Sequence, residues 1–145
     1  MNIKGFTLVE LLIVISIIGI LAGVAIAVLN PNKIRGKARD GVRKNDMAVI
    51  KGAIENYYAE NNIYPDNGSI PFGGVWGNYL KLVPQDPLIA GGSSWTQYCY
   101  SSDVARNNFV LCAKVEDTNS VYVPSGVSPC GSIALAEAYC VQNPF

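Results

Sequence analysis

Between Phe6 and Leu29 the chain carries one ionisable residue, Glu10, in an otherwise almost wholly apolar run. At about 1.5 Å per residue, a helix of that length crosses a hydrocarbon core of roughly 30 Å. The run therefore reads as a membrane-spanning helix, and everything after it must be arranged around an anchor. A bare carboxylate in lipid is costly, so Glu10 needs a partner or must neutralise itself. No Lys or Arg lies within helical reach on the spanning side. The partner must be the chain's own N-terminal region, interfacial water or another molecule. The plain alternative is a glutamate near the helix end that reaches the interface.

Inside the run, Gly19 and Gly23 form a G-x-x-x-G spacing, which removes side chains from one face and lets two helices approach. Asn30-Pro31-Asn32 then predicts a kink or short break, because Pro31 disfavours helix at Asn30 and lacks a donor. From Lys33 to about Asn62 the spacing predicts an amphipathic helix, with Ala38, Val42, Val49, Ala53, Ile54 and Tyr57 near one stripe. Gly36 and Gly41 interrupt its first half, which is expected to project or pack on neighbouring molecules, while Val49 to Tyr58 packs on a sheet. Residues 66–94 are rich in turn signals. Trp95 to Ser101 and Asn108 to Glu116 alternate like an antiparallel hairpin joined through 103–107, with Val121 to Val123 as a third strand. If Cys99 sits opposite Cys112, then Tyr98, Tyr100, Leu111, Ala113 and Val115 share the face that meets the helix. Ser132 to Tyr139 reads as a short helical turn in the tail. The fold class is α+β: a long N-terminal helix on a small antiparallel sheet.

Length fits that plan, because 145 residues less the anchor leave roughly 115, enough for one modest core. Charge is neutral overall but segregated. Lys33, Arg35, Lys37, Arg39, Arg43, Lys44 and Lys51 face only Asp40 and Asp46 over residues 33–51, a net of +5, while the rest of the chain from Gly52 is −5. A basic stalk beneath an acidic head suits contacts between neighbours in a fibre, or a stalk root on anionic lipid. A merely solvated helix face is the bland alternative.

The residues Lys4-Gly5-Phe6-Thr7-Leu8-Val9-Glu10-Leu11-Leu12 resemble the N-terminus of type IV pilins and type II secretion pseudopilins. The resemblance implies a pilin-like fold and a leader, residues 1–5, that a prepilin peptidase removes between Gly5 and Phe6 before methylating Phe6. It implies that residues 6–29 form the filament-core helix, 30–62 a stalk-to-head helix and 63–145 the head. Glu10 matches the family's glutamate, which pairs with the N-terminal amine of a neighbouring subunit during assembly. The implied partners are further copies in a helical filament, the peptidase, an inner-membrane assembly platform, and membrane lipid before assembly. The phrase Tyr79 to Pro87 is similar to a loop that closes over the helix in such heads. Many family members carry a proline within the apolar segment, and this chain lacks it. Gly19, Gly23 and the Asn30-Pro31 junction could supply the flexibility instead.

Orientation is contested within the sequence. Lys4 against the basic cluster after Leu29 would, by the positive-inside rule, leave the C-terminal part in the cytoplasm. The resemblance places the head outside, and then the four cysteines should pair. Four cysteines allow three connectivities. Cys99 with Cys112 across the hairpin, and Cys130 with Cys140 closing a tail loop, is the expected one.

With no histidine, triads, histidine bases and His-bearing metal sites are excluded. There is no C-x-x-C pair, no phosphate-binding glycine loop and no G-x-S-x-G. No cofactor and no enzymatic activity are expected. The resemblance also implies that Asp103, Glu116 and Asp117 could help hold a calcium ion with backbone carbonyls, as loops of some pseudopilins do, although their spacing matches no known motif. DNA binding would need an exposed basic patch, which the acidic head does not offer beyond the stalk. Two functions remain: a structural subunit of a pilus or pseudopilus filament, or a monomeric, membrane-anchored extracytoplasmic binding domain processed by the same peptidase. Glu10 and the Phe6 start favour the first.

Overall fold

Helix α1, Leu8–Leu29, opens the computed structural model, which describes residues 5–143. Of the expected leader only Gly5 falls among them, and the close of the tail at 144–145 lies outside. The chain divides into two compact units, 1–35 and 36–145. In the first, the 19 residues Leu8–Ile26 are apolar enough to cross a membrane, and none of that stretch is buried within the chain. The helix ends at Asn30, which takes the left-handed conformation at φ 35°. Asparagine tolerates that region better than most residues. Its side-chain oxygen and carbonyl both accept from Lys33 N–H, at 3.4 and 3.1 Å, so one residue closes α1 and starts α2, Pro31–Asn61. The break expected at Asn30-Pro31 is there.

In the second unit α2 buries Gly36, Asp40, Arg43, Met47, Ile50, Ala53 and Ile54, spaced by threes and fours. This corrects the stripe expected from the sequence. Ala53 and Ile54 are buried and Tyr57 is half-buried, but Ala38, Val42 and Val49 face outward. The lower half of the buried stripe is ionic, and hydrophobic periodicity is blind to it. Nor does that half project freely, because Asp40 and Arg43 are fully buried in the chain's own head.

A three-stranded antiparallel sheet, ordered β1-β2-β3, consists of Cys99–Ser102, Phe109–Lys114 and Ala138–Gln142. The expected hairpin register holds, with Cys99 opposite Cys112 and Tyr100 opposite Leu111. Tyr98, Leu111, Ala113 and Val115 are buried, and the first three pack with Met47, Ile50 and Ile54 in the main core. Fully burying one such aliphatic side chain stabilises by about 1.5–3 kcal/mol.

The third strand is not Val121 to Val123. That segment pairs with the sheet through an isolated parallel bridge between Tyr122 and Tyr139, and Val123 packs against the cluster of Cys112, Ala138 and Cys140. β3 comes instead from Ala138–Gln142, just after a short 3-10 turn at Leu135–Glu137, where the tail was expected to be helical. Before the sheet, residues 63–98 form the connecting loop with one short helix, α3, Pro87–Ala90. This loop closes over α2, burying Val83 and Asp86 completely.

The disulfides are Cys99–Cys130 and Cys112–Cys140, which corrects the expected pairing. Cys112 does face Cys99, but as a central-strand residue it also faces Cys140 on β3. The unforeseen third strand supplies a competing neighbour, and Cys130 takes up Cys99.

Candidate functional site

The residues singled out in the first unit are held by the start of α1. Thr7, in extended conformation, is its N-cap: Thr7 Oγ1 accepts from Glu10 N–H at 3.2 Å. Glu10 Oε2 reaches back to accept from Thr7 N–H at 3.1 Å and Thr7 Oγ1 at 3.0 Å. This reciprocal capping box satisfies two donors that a helix N-terminus otherwise leaves open. The negative charge also sits where the helix dipole favours it.

Glu10 thus has a partner within its own chain. Thr7-x-x-Glu10 is a legible capping signature in the sequence, and the reading that began from membrane cost overlooked it. Both bonds that the Glu10 carboxylate accepts use Oε2, and among the described residues no donor is placed on Oε1. Gly5 and Phe6 precede the cap outside any regular element and are exposed, Phe6 at 82%. A Cβ added at Gly19 or Gly23 would meet nothing within 4 Å, so neither glycine is packed within the chain and their shared face is open.

In the second unit the charged residues gather around Arg43. Its Nε and Nη2 donate to Asp86 at 2.7 and 3.2 Å, and Nη1 donates to Asp40 at 2.7 Å and to Glu116 at 2.8 Å. Arg39 adds two bonds to Glu116, from Nε at 2.7 Å and from Nη2. Asp40 in turn accepts from the backbone N–H groups of Glu116 and Asp117. Two cations lie over Trp95, Arg43 at 5.1 Å and Lys114 at 5.0 Å from a ring centre.

Burial pulls the Arg43 guanidinium down, but its bonds to Asp86, Glu116 and Asp40 outweigh that and hold it above its ordinary value. The Arg39 hydrogen bond, seconded by Arg43, holds the Glu116 carboxyl down to about 2. Nearby, burial raises the Asp46 carboxyl, which accepts from Tyr98 O–H at 2.7 Å. The charges of Arg39, Asp40, Arg43, Asp86 and Glu116 are turned inward on one another, which makes the cluster a structural clamp. Its work is to fix how α2 sits against the 84–97 loop and the turn after β2.

The three carboxylates expected for calcium are not brought together. Asp103 accepts from Asn107 N–H and Asn108 Nδ2 in the turn before β2, whereas Glu116 and Asp117 follow its other end. Glu116 is held by the two arginines, and Asp117 pairs with Lys37 at 3.6 Å. The segregated charge seen in the sequence is therefore partly internal. Lys37, Arg39 and Arg43 are matched within the head, and Lys33 and Arg35 stay exposed.

Comparison with known proteins adds the following. The family described as "Prokaryotic N-terminal methylation motif" matches residues 1–26. Type IV major pilin protein PilE1 of Neisseria gonorrhoeae is 34% identical over 84 residues, 55% of this chain and 38% of that protein. Type II secretion system core protein G of Aeromonas hydrophila is 32% identical over 97 residues, 58% of this chain and 66% of that protein. Its counterpart in Klebsiella pneumoniae is 30% identical over 97 residues, 58% of this chain and 68% of that protein. The chain thus spans less than two thirds of the length of the first two. No solved structure gives a significant match.

Proposed function

The chain belongs to the type IV pilin and type II secretion pseudopilin family, and from that premise we propose that it is a structural filament subunit polymerised through α1. The observation that carries the proposal is a 22-residue apolar helix, capped at its start and wholly exposed through Ile26, in front of a separately folded head. Such a surface needs lipid before assembly and protein after it. The subunit first spans the membrane with its head outside the cytoplasm, a placement that the two disulfides favour. A prepilin peptidase cuts between Gly5 and Phe6, which are exposed and outside any helix or strand, as a protease requires, and methylates Phe6. An assembly platform in the membrane then feeds subunits into a pilus or pseudopilus. There the Phe6 ammonium of one copy pairs with Glu10 Oε1 of another, and the open face at Gly19 and Gly23 lets helices approach.

One observation favours the second reading, a monomeric anchored binding domain: the capping box gives Glu10 work that needs no neighbour. Two substitutions separate the readings, scored by counting filaments by electron microscopy against equal membrane-fraction levels. Glu10→Gln keeps a side chain that can complete a capping box and loses the charge, whereas Glu10→Val loses both. Loss of filaments in both variants supports the inter-subunit ion pair. Normal filament numbers with Glu10→Gln would return Glu10 to a purely local role.

A further inference from the structure

Three cysteines lie in one row across the sheet. Cys99 is opposite Cys112, and Cys112 is opposite Cys140. The central Cys112 bonds to Cys140 with Cα atoms 4.1 Å apart, while Cys99 bonds to Cys130 at 5.7 Å. The sulfur atoms of Cys99, Cys112 and Cys130 nevertheless all lie within 4.8 Å of one another. A Cβ at Gly131, where φ is +64°, would come within 3.3 Å of Cys99 Cβ, so the glycine after Cys130 is what lets that turn approach β1. We propose that this cluster is a thiol–disulfide exchange site, through which the head reaches its final pairing from a Cys99–Cys112 bridge that forms first.

The order follows from the chain. Cys99 and Cys112 face each other across a local hairpin, whereas the final bridges span 31 and 28 residues and require the tail and β3 in place. Short loops close at lower entropic cost and hairpins form early. Once the tail docks, the Cys130 thiolate, its proton given to solvent, attacks Cys99 Sγ. The Cys99–Cys130 bond forms, the Cys99–Cys112 bond breaks, and the electron pair leaves on Cys112 Sγ as a thiolate. Nothing is oxidised in this step.

Each net oxidation, first of Cys99 with Cys112 and later of Cys112 with Cys140, requires an external disulfide, either oxidised glutathione or a dithiol–disulfide oxidoreductase, which is reduced to two thiols. The Cys140 thiol attacks it, forming a mixed disulfide and releasing one reduced thiol. The Cys112 thiolate then displaces the remaining group as β3 pairs, making Cys112–Cys140 and releasing the second. Cys112 and Cys140 end fully buried, beyond further attack, while Cys99 and Cys130 stay half-buried.

The test is oxidative refolding of the reduced full chain in detergent micelles with a glutathione buffer, with samples acid-quenched, alkylated and peptide-mapped. Cys99–Cys112 should dominate early and decay as both final bridges rise. Direct appearance of Cys99–Cys130 or Cys112–Cys140, with Cys99–Cys112 never detected, would overturn the proposal. A second measurement uses Cys140→Ser, isolated as its Cys99–Cys112 isomer. Without added thiol it should convert to Cys99–Cys130 at a rate independent of protein concentration, rising about tenfold per pH unit below the ordinary thiol value. No conversion, or conversion only in proportion to added glutathione, would show that the three sulfurs do not exchange.

Discussion

Arg43 and Asp86 meet in a two-point contact, Nε to Oδ2 at 2.7 Å and Nη2 to Oδ1 at 3.2 Å, with both side chains at 0% exposure. A buried pair like this contributes little against a well-packed apolar replacement, but breaking it strands charge where water cannot reach. Asp40 and Glu116 share the same guanidinium, so its loss is felt on three elements.

Arg43→Met should therefore cost about 3–5 kcal/mol of head stability. Arg43→Lys should recover little, because one ammonium cannot reproduce the planar fork. Thermal unfolding of the full chain in detergent, followed by circular dichroism, reads both. A loss under ~1 kcal/mol for Arg43→Met would mean the cluster relaxes or hydrates freely.

Acid should weaken the head in a defined window. Glu116 is lowered from 4.5 to about 2 in the fold, so between those values the unfolded chain binds the extra proton and stability rises with pH. The contribution is fully present above about 4.5 and is lost as pH falls through about 2. Unfolding temperatures measured from pH 2 to 7 should show this slope, and Glu116→Gln should flatten it. An unchanged slope in that variant would assign the acid sensitivity to other carboxylates.

Two glycines of α2 should respond oppositely to the same change. Gly41 is exposed and an added Cβ there meets nothing within 4 Å, so Gly41→Ala should gain up to about 1 kcal/mol from helix propensity. At Gly36 the Cβ would press on the Glu116 side chain at 3.3–3.4 Å, and that carboxylate is clamped by Arg39 and Arg43. Gly36→Ala should gain nothing or lose stability. Equal stabilisation by both would show that the clamp yields at no cost.

Processing should leave a chain that starts at methylated Phe6, and a bulky residue at Gly5 should leave the leader on. Mass spectrometry of protein from the native membrane decides. Assembled material that still begins at Met1 would count against cleavage at Gly5.

What could be read from the sequence depended on whether hydrophobicity or charge did the organising. The apolar run, the Asn30-Pro31 break and the 99–112 register were legible because burial and turn chemistry leave a period or a punctuation mark. The buried stripe of α2 was misread because Asp40 and Arg43 count as solvent-facing in any hydropathy pattern, and only their partners at Asp86 and Glu116, far along the chain, bring them inside. β3 was missed because Ala138 to Gln142 is short and follows a turn-rich stretch. Missing it hid the second neighbour of Cys112, and the disulfide pairing went wrong with it. Asp103 stands apart from Glu116 and Asp117 for a related reason, since separation along the sequence said nothing about which end of β2 each carboxylate occupies.

The order of strands in space has a further consequence for how the protein is made. β2 lies at the centre of the sheet and is flanked on one side by a strand from residues 138–142. Synthesis runs from the N-terminus, so β2 is made before the strand that flanks it. Until Gln142 has been added, one long edge of β2 is uncovered and Cys112 lacks its final mate. The sheet therefore closes last at β3, and until then the bare edge of β2 is open to pairing with another strand.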